Sequence, residues 1–166
     1  AHLPGMQVVM PSSPAEAKGL LLSSIFSDDP TLFVEGRSLY DMEEEVPDAP
    51  YFIRLGKALV RQQGSDVTVI SFGSLVPASL QAAAQLEDSG ISVEVVDLRC
   101  LAPLDRETIL TSVAKTGRLV VAEPGWRSFG AAAEIVSSVA EKLGTQLKAC
   151  PRRVTWPDSY LPTSTA

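Results

Sequence analysis

Three apolar runs, DVTVISFG (66–73), ISVEVVDLR (91–99) and RLVVAE (118–123), alternate with two segments of helical spacing. Runs that are apolar on both faces must be covered on both faces, so they predict parallel strands in the middle layer of a three-layer α/β domain, joined by right-handed crossovers. The intervening helices are SLVPASLQAAAQLEDSG, closed by Gly90, and PLDRETILTSVAKTG, with Asp105 as N-cap and Gly117 just past its end. SFGAAAEIVSSVAEKLG (128–144) predicts a further helix. LKACPRRVTW (147–156) predicts a last, weaker strand at an edge, because Pro151 cannot donate to a ladder.

A smaller β-α-β unit precedes this rhythm. QVVM (7–10) predicts a strand, Ser13 an N-cap, Pro14 the first helical residue, and Ala17, Leu20, Leu21 and Ile25 the apolar face of a helix. SDDP (27–30) stops that helix before a strand in TLFVE (31–35). Between the units, residues 37–52 have no sustained period, two prolines and three consecutive glutamates, which reads as an exposed connector with a solvated acidic face.

Composition narrows the function. Fourteen Lys and Arg against 20 Asp and Glu leave a net charge of −6 over 166 residues, which repels phosphate backbones and speaks against nucleic acid as a partner. The longest apolar run, GLLLSSIF, is far short of a bilayer span. Cys100 and Cys150 have neither metal-ligand spacing nor disulfide density, and read as small buried apolar groups in a reducing compartment.

Catalytic patterns are sparse. His2, the single histidine, has no neighbouring acid or nucleophile, and HExxH, CxxC, GxGxxG and P-loop patterns are missing. Asp97 and Arg99 fall at a strand's carboxyl end, where open α/β sheets place their crevice, and as a pair they more often order a loop than transfer protons. VAEPGWRSFGAAAEI (121–135) runs from a strand through glycines into a helix N-terminus, the layout of a phosphate cradle. Pro124, Trp126 and Phe129 are bulky for that task and Glu123 would repel an anion, so a packed corner is the better reading.

Taken in order, H-x-P-G at the start, P-x-x-A-K-G-L-L, D-L-R-x-x-x-P-L-D, EPGWRSFGAAAEI and a terminal T-x-P-D resemble the beta subunit of thiamine-diphosphate-dependent 2-oxoacid dehydrogenases. The corner is nearest the pyruvate type. The resemblance implies that residues 1–36 are the last third of a pyrimidine-binding domain, 37–52 a linker, and 53–166 a transketolase C-terminal-like domain cut short at its end. It implies an alpha subunit as partner in an α2β2 heterotetramer, a lipoyl acyltransferase core, and thiamine diphosphate with Mg2+ in the full complex.

The family's cofactor-activating glutamate and active-site histidine have no counterpart here. The resemblance therefore implies no catalytic or cofactor-binding residue in this chain, which would be scaffold and inactive alone. It implies a potassium site at Ser24, Ile25, Ser27 and Asp29, where a serine and an aspartate replace the family's aspartate and asparagine. It places Glu123, Trp126 and Phe129 at an interface, and the protein in the bacterial cytoplasm, or in the mitochondrial matrix or plastid of a eukaryote. Residues 1–36 without partner strands would show unpaired edges and apolar surface, and self-associate or be locally disordered. A non-catalytic assembly module and another transketolase-like enzyme are the rival readings.

Overall fold

In the computed structural model, which describes residues 1–160, Ser13 and Pro14 start the first helix as predicted. The Ser13 hydroxyl accepts the Glu16 N–H, and α1 runs Pro14–Ile25 between β1 (Gln7–Val9) and β2 (Thr31–Phe33). β1 and β2 pair in parallel. The remaining elements are β3 (Leu59–Gln62), β4 (Val67–Ser71), α2 (Leu75–Glu87), β5 (Val93–Asp97), β6 (Cys100–Ala102), α3 (Arg106–Thr116), β7 (Leu119–Trp126), α4 (Ala131–Leu143) and β8 (Arg152–Trp156).

The large sheet has the order β3-β5-β4-β7-β8, with β5, β4, β7 and β8 parallel and β3 antiparallel. All five residues of β5 are buried, as a central strand covered on both faces requires. On one face, Ile70, Val96 and Val121 pack with Ile109, Val113, Ile135 and Val139 of α3 and α4. On the other, Val93 and Val95 pack with Ala83 of α2. Successive strand residues alternate between these two cores, so the three layers follow directly from the unbroken apolar runs. β8 lies at the edge, immediately after Pro151.

Two strands escape the sequence reading. β3 is a half-buried edge strand without alternation. β6 leaves the large sheet and pairs antiparallel with β1, giving a second sheet β2-β1-β6. The expected bare edge of residues 1–36 is therefore partly filled from within the chain: β1 has a neighbour on each side. The turn that sends β6 away is Arg99, a non-glycine residue at φ +59°.

Cys100 is buried with Val9 and Leu20 in the small core under this second sheet. Cys150 is exposed, contrary to expectation, because it sits in the loop before edge strand β8 and no layer covers it.

The connector is more tightly held than its composition suggests. Glu44, in the acidic run, accepts the Ala15 N–H at the α1 N-terminus (2.9 Å), and like Glu43 and Glu45 it stays exposed. Lys18 donates to the Pro47 and Asp48 carbonyls, and the Tyr51 hydroxyl donates to the Ala15 carbonyl (2.6 Å). All three glutamates face solvent, and the middle one also caps a helix.

Candidate functional site

The carboxyl edge of the large sheet carries the polar corners. At the β7–α4 corner, Glu123 leaves the strand with its side chain turned inward. Its two oxygens accept the N–H groups of Ala131 (2.8 Å) and Ala132 (2.9 Å), the first free donors of α4. Glu123 is buried. The anion attracted to this helix N-terminus is therefore the chain's own carboxylate, which closes the cradle.

Trp126 and Phe129 point outward. Trp126 is half exposed and donates its indole N–H to the Ser159 carbonyl (2.9 Å), while Phe129 is fully exposed at φ +59°. A bulky aromatic side chain in the left-handed region is strained, and a neighbour must hold it there. Asp158 does so: its carboxylate accepts the Ser128 N–H (3.0 Å) and hydroxyl (2.7 Å), which holds the Asp158 carboxyl below its usual range. The Arg127 N–H donates to the Trp156 carbonyl (3.1 Å). Asp158 thus has a structural task that T-x-P-D signalled only as a family mark. Beside the corner lies a cavity of about 600 Å³, lined in part by Leu101, Pro103, Arg106, Phe129 and Ile135.

The second corner, at the end of β5, bears out loop ordering for Asp97 and Arg99. Asp97 Oδ1 accepts the Arg99 N–H (3.0 Å) and Oδ2 accepts the Ser12 hydroxyl (2.5 Å). Burial pushes the Asp97 carboxyl up to about 6, against the pull of these two donors. The Arg99 guanidinium turns instead to Glu16 of α1 (2.6 Å), and Arg61 of β3 stands 3.9 Å from the same carboxylate. Ser12 and Glu16 were invisible from sequence because neither carries a motif. They become polar partners only when the two sheets meet.

Asp105 caps α3 as predicted, accepting the Thr108 N–H, and also accepts the Ala58 N–H (3.0 Å). His2 is exposed. Ser24, Ile25, Ser27 and Asp29 lie together at the α1 C-terminus and the loop after it. Asp29 accepts from the Gln7 side-chain amide Nε2 (3.2 Å), and the Ser27 hydroxyl donates to the Gln7 side-chain oxygen Oε1 (3.4 Å). Among the described residues no group of three or more His, Cys, Asp or Glu is placed to hold a metal, and no helix is long and apolar enough to cross a membrane.

Comparison with known proteins places these corners in context. Residues 56–166 match the transketolase C-terminal domain, and residues 1–43 the transketolase pyrimidine-binding domain. The chain is 46% identical over 167 residues to the pyruvate dehydrogenase E1 component subunit beta of Bacillus subtilis, covering 100% of this chain and 51% of that protein. It is 46% identical over 163 residues to the subunit of the same name from Staphylococcus epidermidis, covering 98% and 50%. The chain thus spans about half the length of the curated relatives it matches. A solved structure titled "Split gene transketolase, inactive beta4 tetramer" superposes with a TM-score of 0.77 at 32% identity, over 95% of this chain and 50% of that one. With two thirds of its length in the matched C-terminal domain, this chain belongs to the transketolase C-terminal domain family.

Proposed function

We propose that this chain forms part of the beta subunit of the decarboxylating component of a thiamine-diphosphate-dependent 2-oxoacid dehydrogenase, an oxidoreductase that passes an acyl group from a 2-oxoacid such as pyruvate, or a branched-chain 2-oxoacid, to a lipoyl group. The observation that carries this reading is the 46% identity to pyruvate dehydrogenase beta subunits along the whole chain. In this reading residues 1–36 complete a pyrimidine-binding domain, 37–52 strap it to its neighbour, and 53–166 are the transketolase-like scaffold. Trp126 and Phe129 pack against an alpha subunit in an α2β2 assembly that docks on a lipoyl acyltransferase core.

The chain's own groups do not fit a diphosphate. Among the described residues, three of the four α-helix N-termini are occupied by the chain's own oxygens: Ser13 and Glu44 at α1, Asp105 at α3, Glu123 at α4. An anion arriving there would have to displace them. Thiamine diphosphate and Mg2+ are thus assigned to the rest of the complex. A potassium ion suits the α1 C-terminus better. The Ser24 and Ile25 carbonyls belong to the negative end of the helix, and the Ser27 hydroxyl and Asp29 carboxylate add hard oxygen donors.

The test is a chimera in which this chain replaces the matching half of the Bacillus subtilis beta subunit. Light scattering after co-expression with that protein's alpha subunit is expected to give a heterotetramer. A folded chimera that never retains the alpha subunit would overturn the assembly claim.

A further inference from the structure

At the carboxyl end of β5 the large sheet meets the β1–α1–β2 unit through buried polar groups beside the small apolar core around Cys100. Asp97 is fully buried. Among the described residues its hydrogen-bond partners are the Ser12 hydroxyl and the Arg99 N–H, and no cation touches it. The nearest guanidinium, Arg99, is spent on Glu16, itself buried. Across the seam the Met10 N–H donates to the Arg99 carbonyl (2.8 Å), and β1 pairs with β6. Segment 97–102 thus carries much of the junction, to which Arg61 facing Glu16 and the Ile53 N–H donating to the Gly19 carbonyl (3.3 Å) add.

We propose that Ser12, Asp97, Arg99 and Glu16 form a proton-operated latch between the two units, tightest while Asp97 holds a proton and loosened when that proton leaves. Protonated Asp97 keeps one oxygen on the Arg99 N–H and offers its O–H to Ser12. Ionised Asp97 is a second buried carboxylate facing Glu16, with no counter-charge in contact.

The surroundings support the balance. Facing Asp97 are Ser12 from the loop before α1, Glu16 from α1, Arg99 and Cys100 from the β5–β6 corner, and Ser71, its neighbour on β4. Behind Glu16 stand Arg61 of β3, and Glu44 and Tyr51 of the connector. Lys18 of α1 lies over the Tyr51 ring, so the outer charges are balanced, and ionised Asp97 adds a second buried negative charge beside Glu16, whose own contacts are Arg99 and Arg61. The folded carboxyl titrates near 6 and the ordinary one near 3.8, so the folded seam keeps a proton that an opened seam releases. The latch's contribution is therefore full below the ordinary value and is lost as the pH rises through about 6.

Hydrogen exchange of the Met10 amide, corrected for intrinsic rate and referenced to Val121 in the large core, reads the seam in the 166-residue chain. Between pH 4.5 and 6 the seam's opening constant is expected to rise by about tenfold per pH unit, then level off. Asp97→Asn, which keeps both hydrogen bonds without titrating, is expected to flatten that profile. A flat profile in the unsubstituted chain, or the same slope in Asp97→Asn, overturns the latch. If Asp97→Asn does not fold, carbon-13 titration of the Asp97 carboxyl decides: a midpoint near 6 supports the latch and one below 4 overturns it.

Discussion

Replacing Gly130 with alanine tests how the β7–α4 corner is built. Gly130 has φ −74°, open to any residue, so backbone strain plays no part. An alanine Cβ would fall 2.6 Å from Glu123 Oε1 and closer still to Oε2, so the carboxylate must leave the α4 N-terminus. That forfeits two hydrogen bonds from backbone N–H groups to a carboxylate, each about 1.5–3 kcal/mol, and a helix-dipole contribution of about 0.3–1 kcal/mol. The two bonds share one side chain and do not add fully, so the expected loss is about 3 kcal/mol. Glu123→Ala removes the same bonds and should cost a similar amount. With Glu123 already gone, alanine at position 130 meets no clash. It gives up about 1 kcal/mol of cap preference and regains about 0.4–1 kcal/mol by restricting the unfolded chain, for a net near zero. Urea unfolding of the four proteins by circular dichroism measures the cycle, with a coupling of about 3 kcal/mol expected between the two sites. Additive losses in the double variant, or a Gly130→Ala cost below about 1 kcal/mol, would refute the capping account.

Other positions give sharp expectations. Gly19 lies inside α1, where alanine normally favours a helix by about 1 kcal/mol. Its Cβ would fall 2.6 Å from Ile53 and 2.7 Å from Tyr51, so Gly19→Ala is expected to lower stability by about 1–3 kcal/mol in a urea melt. Trp126→Ala removes one indole hydrogen bond at a half-exposed site and should cost about 1 kcal/mol of stability in the isolated chain. In the chimera it should weaken alpha-subunit retention by a larger factor, and equal effects on both would remove Trp126 from the interface. Potassium chloride is expected to raise the thermal midpoint above that in equal sodium chloride. Identical midpoints, or no change on Asp29→Ala, would dismiss the ion site.

The large sheet was legible because β4, β5 and β7 are apolar on both faces, a pattern that one arrangement satisfies. Helix starts at Ser13 and Asp105 were legible for a related reason: a cap is a local hydrogen bond between residues three apart. β3 and β6 were not, because a short half-buried strand earns its place from a partner distant in sequence, Asp97 for Leu59 and Val9 for Cys100. The same holds for the polar seam. Ser12 and Asp97 stand 85 positions apart, and Arg99 and Glu16 83. That Glu123 occupies the α4 N-terminus depends on side-chain direction, which residue spacing does not carry.

The central claim is that these residues supply the scaffold half of a 2-oxoacid dehydrogenase beta subunit while the cofactor chemistry lies elsewhere. Reduction of an artificial electron acceptor by the chimera with its alpha subunit, assayed with pyruvate and branched-chain 2-oxoacids, tests it most directly. The account predicts 2-oxoacid-dependent turnover that requires added thiamine diphosphate, and no calorimetric binding of that cofactor to the 166-residue chain alone. An assembled chimera silent with every 2-oxoacid, or micromolar cofactor binding by the isolated chain, would contradict it.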